Sequence, residues 1–270
     1  MLGLNRQIDI DIELDEWSSQ SQAEGRVANS QGTTAGGPHH GVGVIVVAAG
    51  GSQRMGGVDK IFAPLKGQPL VSYCLEAFHH TPEVDGIVLV LSSRNIEQGR
   101  RLVQEYGWSK VLEVCEGGER RRDSVAVGLS SLSDSDWIVV HDGARPFVDA
   151  GLVSRGLSEA RETGAAVAGV PVSDTIKLAD GERFVKETLR REGLWAIQTP
   201  QIFRRQLLAE AHETLSGEFT DDAAMVAQVG ARVRIYSGSS DNIKVTTPDD
   251  LRIAEALLSA RKSPRPAPQR

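Results

Sequence analysis

The sequence predicts an α/β fold built on a mostly parallel sheet with helices on both faces. Three apolar runs, 43–48, 86–92 and 136–141, are short, rich in β-branched residues and without polar alternation, as buried parallel strands are. Helical segments follow these runs, and such alternation is typical of a sheet covered on both faces. The loops after 43–48 and 136–141 combine glycine with charge, and parallel sheets bind ligands at this end of their strands.

The same periodicities predict the remaining elements. Further strands are expected at 110–115, 165–171 and 232–236. Apolar residues at helical spacing predict helices that begin after Pro69 and that cover 124–132, 149–163 and 204–215.

The two ends of the chain differ from the domain between them, 41–260. Residues 1–40 hold six acidic and two basic side chains and are rich in Ser, Gln, Gly and Thr from position 18, which predicts a flexible acidic leader. Isoleucine alternates with acid over 8–15, a strand pattern that could pair with a sheet edge. Residues 261–270 hold four basic side chains and three prolines, which predicts a disordered basic tail.

Residues 172–200 interrupt the alternation of strands and helices. Asp180 and Gly181 stand between two extended stretches of mixed polarity, which is a strong hairpin pattern. A hairpin this polar packs poorly on its own core. We therefore expect an arm that reaches a second copy of the chain and makes a homodimer.

The composition excludes several classes of function. A net charge of −6 and a pI near 5.6 argue against a nucleic-acid partner held by a basic face. No apolar stretch approaches the ~20 residues that span a bilayer, and no signal peptide is apparent, so no membrane partner is expected. Cys74 and Cys115 lack metal-ligand spacing and are predicted to be buried free thiols of a cytoplasmic protein.

The most informative stretch is 44–60, VIVVAAGGSQRMGGVDK. Gly50 and Gly51 let the backbone turn sharply and approach a ligand closely. Consecutive N–H groups in such a loop form an anion-binding concavity, and Arg54 and Lys60 add two cations. The stretch therefore predicts a polyphosphate site.

Three later segments also place charge beside small residues: GGERRRDSV at 117–125, HDGARPF at 141–147 and DNIKVTTPDDL at 241–251. Gly118 permits close approach of a flat base, and Ser124 offers a hydroxyl at the predicted helix start. Asp142 follows an apolar strand, where a carboxylate can hold Mg²⁺ or cap the loop. For Arg145 the sequence leaves open a salt bridge or a ligand contact. Lys244 is the candidate in the last segment.

Two short acidic segments predict helix caps and no chemistry. Thr247, Pro248 and the two acids that follow have the pattern of a helix start, with Thr247 as the N-cap. The segment Thr220-Asp221-Asp222 likewise predicts a cap.

In order and spacing, several segments between 43 and 258 resemble the 2-C-methyl-D-erythritol 4-phosphate cytidylyltransferase family: VAAGGSQRMGGVDK, GGERRRDSV, HDGARPFV, SDTIK, RREGLWAIQTPQIF, TDDA and DNIKVTTPDDL. The resemblance implies a Rossmann-like nucleotidyltransferase fold and a homodimer with an exchanged β-arm. It also implies transfer of a cytidylyl group from CTP to 2-C-methyl-D-erythritol 4-phosphate, with Mg²⁺, in non-mevalonate isoprenoid synthesis. The products would be CDP-methylerythritol and pyrophosphate.

The resemblance assigns roles residue by residue. Arg54 and Lys60 match the catalytic pair. The residues that match the nucleotide-binding set are Ala48, Ala49, Gly50, Gly118, Glu119 and Ser124. Those that match the substrate-binding set are Asp142, Gly143, Thr175, Arg191 and Lys244, with Asp142 also the metal-binding carboxylate. Thr175 and Arg191 lie on the predicted arm, so they could complete the partner's site.

Three alternatives remain open from the sequence. The same segments could serve a cytidylyltransferase for another polyol phosphate, such as ribitol 5-phosphate. The opening AAGGSQRMGGVDK is also similar to molybdopterin guanylyltransferases, although the later QTPQ and DNIKVTTPDDL segments argue against that family. A nucleotide-binding module without catalysis is the third alternative, and Arg54, Lys60 and Asp142 argue against it.

Overall fold

The computed structural model describes residues 41–50 and 59–262. The predicted leader, Arg54 and the tail from 263 lie outside the described residues. Eleven strands lie within them, in chain order β1 (Val42–Ala48), β2 (Pro64–Leu65), β3 (Gln68–Pro69), β4 (Gly86–Leu91), β5 (Val111–Glu116), β6 (Trp137–Asp142), β7 (Ala165–Pro171), β8 (Lys177–Ala179), β9 (Val185–Thr188), β10 (Trp195–Arg204) and β11 (Arg234–Ser237). The α-helices of the same residues are α1 (Leu70–His79), α2 (Ile96–Tyr106), α3 (Arg121–Ser130), α4 (Ala150–Thr163), α5 (Arg205–Thr214), α6 (Asp222–Gln228) and α7 (Pro248–Lys262).

Seven strands form the central sheet, in the order β11-β7-β10-β6-β1-β4-β5. All neighbours pair in parallel except β10, which is antiparallel to both β6 and β7. The sheet is therefore mostly parallel, as the sequence predicts. The carboxyl ends of β1, β4, β5 and β6 lie at one edge, which is where a ligand binds in such sheets.

Helices cover both faces of this sheet. Successive side chains of β1 point to opposite faces and therefore belong to two separate cores. Val44 and Val46 point into a core built with α1, α2, α4 and α7, whereas Ile45 points into a second core built with α3, α5 and α6. All three β1 residues are fully buried, so the strand has no polar face. The predicted three-layer α/β architecture is confirmed.

The predicted strands agree with the structure to within a few residues, but several elements are missing from the prediction, among them α2, β10 and the two-residue strands β2 and β3. The helix α2 contains Gly99, which weakened the helical pattern. A Cβ at Gly99 would lie 2.3 Å from Leu91 Cδ1 on β4, so a larger residue there would displace the Leu91 side chain. The strand β10 was missed because its centre is polar: Gln198, Thr199 and Gln201 are buried in it.

The predicted arm is a hairpin, but its boundary is wrong. Strands β8 and β9 form a separate two-stranded sheet, with every residue of both strands exposed. The turn spans 180–184, where the Asp180 carboxylate accepts hydrogen bonds from the backbone N–H groups of Glu182 and Phe184. Residues 195–200, which were expected in the arm, belong to β10 in the central sheet.

The C-terminal helix begins where the sequence predicts. Thr247 Oγ1 accepts a hydrogen bond from Asp250 N, and the Asp250 carboxylate accepts from the backbone of Thr246 and Thr247. The helix ends at Lys262, two residues inside the segment predicted as a disordered tail. Among the described residues, no helix is long and apolar enough to cross a membrane.

Candidate active site

A cavity of about 180 Å³ opens at the carboxyl edge of the sheet. It is lined by Val47, Ala48, Ala49, Gly50, Lys60, Ile61, Gly118, Glu119, Arg120, Arg121, Ser124, Asp142, Ala144 and Lys244. These residues come from the ends of β1, β5 and β6, from the start of α3 and from the loop before α7. The described cavity lining contains four cationic and two acidic side chains, a balance that favours an anionic ligand.

The segment with Lys60 is fixed in place by Asp59. Asp59 Oδ1 accepts a hydrogen bond from Ile61 N at 3.2 Å and caps a short 3₁₀ turn, 60–62. The other oxygen of Asp59 accepts a hydrogen bond from the side-chain amide of Asn95, ahead of α2. Asp59 therefore connects the backbone around Lys60 to the segment that precedes α2, and the Lys60 side chain lines the cavity.

Glycines 117 and 118 allow the loop after β5 to pack tightly beside the loop after β1. A Cβ at Gly117 would lie 2.5 Å from Ser124 Oγ and 2.6 Å from Ala49 Cβ. A Cβ at Gly118 would lie 2.4 Å from Asp123 Cβ. Neither position has room for a side chain, because real Cβ atoms do not approach other heavy atoms this closely. The two loops and the start of α3 form one wall of the cavity.

The helix behind that wall begins at Arg121, three residues before the predicted start. Its N-terminus is a capping box in which Arg120 N donates to Asp123 Oδ2 at 3.2 Å, and the two side chains also pair. The Ser124 hydroxyl is buried and donates to Arg120 O at 3.3 Å within the helix. Ser124 therefore lines the cavity from the first turn of α3, whereas the sequence predicted it at the helix start.

Asp142 ends β6 at the centre of a group of cations. Lys244 Nζ lies 2.9 Å from Asp142 Oδ2, and Arg145 Nε lies 3.6 Å from the same oxygen. Arg121 Nε lies 3.7 Å from Asp142 Oδ1. The three cations come from three different segments of the chain, so Asp142 joins the loop after β6, the loop before α7 and the start of α3.

These cations determine the protonation state of Asp142. Burial raises the pKa of the carboxyl, but the charges of Lys244 and Arg121, and the hydrogen bond from Lys244, outweigh burial and hold the pKa well below its usual range. Asp142 is therefore ionised at neutral pH. For Arg145, burial is the largest effect and lowers the pKa of the guanidinium, which stays far above neutrality in any protein.

A buried polar chain holds the backbone of Asp142 from behind. Asp142 N donates to Thr199 Oγ1 at 3.0 Å, and Thr199 Oγ1 lies 3.1 Å from His141 Nδ1. His141 Nε2 lies 3.1 Å from the carbonyl oxygen of Arg145, which can only accept. The hydrogen of a neutral His141 is therefore on Nε2, and Nδ1 accepts from the Thr199 hydroxyl.

Asn242 connects the segment that contains Lys244 to Thr199 and Arg145. Its side-chain amide donates to Thr199 O at 2.8 Å, and its backbone carbonyl oxygen accepts from Arg145 Nη1 at 2.7 Å. Val245 N donates to Ala144 O at 2.9 Å. Arg145 thus makes a structural salt bridge, the first of the two interpretations that the sequence left open, and Lys244 is held beside Asp142.

The cavity brings together most of the predicted site residues but not all of them. Gly143 is buried behind it, where its N–H donates to Val47 O at 2.9 Å and a Cβ would lie 3.0 Å from Ala48 Cβ. Thr175 and Arg191 are exposed on the arm and are not among the cavity's lining residues. Arg191 Nη1 donates to Ser173 O at 2.7 Å within the same arm.

Several residues of the site were missed by sequence reasoning. Arg121 is the second of three adjacent arginines, and no pattern distinguishes the one that faces Asp142. Thr199 falls in the segment assigned to the arm, Asn242 in a segment where Lys244 was the candidate, and His141 was taken as part of a strand. A buried polar residue gives no periodic signal, so only the fold reveals these positions.

The described residues of the cavity could supply a metal ion with few protein ligands. No group of three or more His, Cys, Asp and Glu side chains within them could hold a metal ion. The cavity's carboxylates are those of Asp142 and Glu119. Such a donor set fits Mg²⁺ that takes one carboxylate from the protein and its other ligands from phosphates and water.

Burial of His141 makes the stability of the protein depend on pH. Burial is the main cause that lowers the pKa of His141 from 6.5 to about 4. As the pH falls below about 6.5 the unfolded chain gains a proton at His141 and the folded chain does not, so the folded state loses stability until about pH 4. We expect about 2 kcal/mol of the unfolding free energy to be lost between pH 7 and pH 5 through this residue.

Urea unfolding of the wild-type protein and of His141→Gln at both pH values tests this expectation. The variant should lose most of the difference between the two pH values. His80→Gln is the matched control, since His80 is exposed, and it should keep the wild-type difference. An unchanged difference in His141→Gln would show that His141 titrates normally in the fold.

Comparison with known proteins identifies the family of this chain. The sequence model of the 2-C-methyl-D-erythritol 4-phosphate cytidylyltransferase family (IspD) matches residues 42–260. An enzyme of that name from Dehalococcoides mccartyi is 48% identical over 217 residues, which cover 80% of this chain and 96% of the relative. One from Clostridium novyi is 41% identical over 224 residues, or 81% of this chain and 97% of the relative.

A solved structure shares the fold. The crystal structure of 2-C-methyl-D-erythritol 4-phosphate cytidylyltransferase from Thermus thermophilus is 35% identical, with a TM-score of 0.67. The alignment covers 81% of this chain and 99% of that one. From the matched domain, the identities and the shared fold we conclude that this chain belongs to the 2-C-methyl-D-erythritol 4-phosphate cytidylyltransferase family.

Proposed function

We propose that this chain transfers a cytidylyl group from CTP to 2-C-methyl-D-erythritol 4-phosphate, giving CDP-methylerythritol and pyrophosphate in isoprenoid precursor synthesis. Membership in the family is the observation that supports the proposal most strongly. The cation-rich cavity at the carboxyl edge of the sheet is the matching feature of the structure.

The reaction needs positioning and charge neutralisation, and no covalent intermediate on the protein. The phosphate of the acceptor attacks the α-phosphorus of CTP in line with the departing pyrophosphate, so the protein must hold two anions together. Lys60 and Lys244 line the described cavity from two separate segments, the loop after β1 and the loop before α7. Arg54 is proposed as the partner of Lys60 in stabilising charge at the α-phosphate.

The other proposed roles follow the position of each residue at the cavity. The small residues Ala48, Ala49 and Gly50 let the triphosphate approach the backbone. Gly118, Glu119 and Ser124 form the wall proposed to receive the cytosine. Asp142 and Lys244 are proposed to contact the acceptor.

Mg²⁺ is proposed to accompany the triphosphate. When bound it would neutralise charge on the phosphates, and Asp142 is the residue proposed to hold it. The Asp142 carboxylate is ionised, as such a ligand must be, although Lys244 occupies one of its oxygens. We further propose a cytoplasmic setting, which the free thiols Cys74 and Cys115 support.

A homodimer is proposed through the arm, and exposed apolar side chains support it. Leu178, Phe184 and Val185 are at least about half exposed on the hairpin. Trp195, Ile197 and Ile235 are also exposed, and all three surround Gly169 on β7, next to the edge strand β11. Exposed apolar side chains grouped in this way are typical of protein–protein interfaces. Thr175 and Arg191 would then complete the site of the partner.

The proposed reaction is tested by pyrophosphate release with CTP or GTP, combined with methylerythritol 4-phosphate or ribitol 5-phosphate. We expect CTP with methylerythritol 4-phosphate to exceed every other pair by about tenfold or more in kcat/KM. Lys60→Ala should lower kcat for that pair by about a hundredfold, since it removes one transition-state contact. Lys66→Ala, exposed outside the cavity, is the control and should be near wild type. A preference for GTP or for ribitol 5-phosphate would refute the assigned substrates.

The shared site is tested by mixing two inactive variants. If Arg191 serves the partner's cavity, Lys60→Ala mixed with Arg191→Ala should regain activity, because about half of the randomly paired dimers contain one intact site. Lys60→Ala mixed with Lys244→Ala is the matched control. Both of its defects lie in the cavity of their own chain, so no heterodimer has an intact site. A first mixture as inactive as the control, under conditions where subunits exchange, would place Arg191 in its own chain's site.

A further inference from the structure

Arg121 lies between two carboxylates at the start of α3. Its Nη1 donates to Asp222 Oδ2 at 2.6 Å, whereas its Nε lies 3.7 Å from Asp142 Oδ1. The first distance is a short charge-assisted hydrogen bond, and the second is beyond hydrogen-bond length. Arg121 lines the cavity, so the residue that holds it also determines how closely it approaches Asp142.

Asp222 is fully buried, and its other contacts fix its position. It is the first residue of α6, whose N-terminus is tied to β10: Gln201 donates to Asp221 Oδ2 at 2.8 Å, and Ala223 N donates to Gln201 Oε1. His212 Nε2 of α5 lies 3.5 Å from Asp222 Oδ1. Among the described residues, neither Asp222 Oδ1 nor either His212 nitrogen has a hydrogen-bond partner. Arg121 is thus the strong partner of this buried charge.

We propose that Asp222 is a positioning residue for the transfer reaction, acting through Arg121 to keep the Asp142 carboxylate available. With Asp222 in place, the guanidinium is held away from Asp142 and its charge remains at the wall of the cavity. Without the Asp222 charge, Asp142 is the carboxylate left within ion-pair distance of Arg121 in the described part of the chain, and an arginine pairs with a carboxylate through two parallel hydrogen bonds. That pair would occupy Asp142 Oδ1, which is the oxygen not bound by Lys244.

The proposal rests on the proposed function, and it makes a specific kinetic prediction. Asp222→Asn keeps the size of the side chain and removes its charge. It should lower kcat/KM for methylerythritol 4-phosphate by about tenfold or more and change the KM for CTP by less than about threefold. The larger effect falls on the acceptor because, with Mg²⁺ saturating, CTP is also held by Lys60 and the loop after β1, whereas Asp142 and Lys244 are the groups proposed to contact the acceptor.

Two further variants separate positioning from a structural role. Asp221→Asn is the control for the anchoring of α6: asparagine keeps the cap that accepts from Ala224 N and loses the second oxygen, which accepts from Gln201. It should stay within about threefold of wild type in kcat/KM. In an Arg121→Met background, Asp222→Asn should have less than about a twofold further effect, because Arg121 is no longer present to move. Thermal unfolding of each variant verifies that it is folded.

The outcomes are distinct from those of the substrate test. If the wild-type protein releases no pyrophosphate with CTP and the acceptor, the proposed function fails. With an active wild type, normal kinetics in Asp222→Asn, or an equal loss in both the wild-type and the Arg121→Met backgrounds, overturns the positioning role. Should Asp222→Asn fail to fold, Asp222→Ser decides, since it also removes the carboxylate that holds Arg121. Wild-type kcat/KM in that variant overturns the proposal, and a loss of about tenfold supports it.

Discussion

The site depends on one buried carboxylate that attracts three cations. Asp142 stands at the end of β6, and Lys244, Arg145 and Arg121 approach it from three separate segments. Each cation would repel the other two if Asp142 were neutral, since all lie within a few ångströms of the same group. The charge of Asp142 therefore holds the loop after β6 and the loop before α7 at one edge of the sheet, and together with Asp222 it holds the start of α3 there.

The cluster contains more positive than negative charge, and the excess suits its proposed ligands. Asp142 and Asp222 face three cations, and Lys60 lies at the same cavity. Burying such an excess is unfavourable in the free protein and becomes favourable when phosphates arrive. The buried chain through Thr199 and His141 keeps the backbone of Asp142 in place, so the ligand meets groups that are already positioned.

The sequence predicted the fold more completely than the site. Strand β1 was predictable because a strand buried on both faces is a continuous apolar run. Lys60 and Lys244 were predictable as site residues because they follow glycine-rich or strand-end segments. Strand β10 was not, since polar Gln198, Thr199 and Gln201 are buried at its centre. Arg121 and Asp222 are 101 positions apart and meet only in the folded chain, so no local pattern could pair them.

The free energy of unfolding of Asp142→Asn, measured with urea at neutral pH, tests the central claim most directly. Asparagine preserves the size of the side chain and removes the charge that opposes the repulsion among Arg121, Arg145 and Lys244. Breaking a buried ionic cluster by removing one partner costs about 3–5 kcal/mol, and we expect a loss in this range. A variant as stable as the wild type, or more stable, would show that the carboxylate does not hold these segments together.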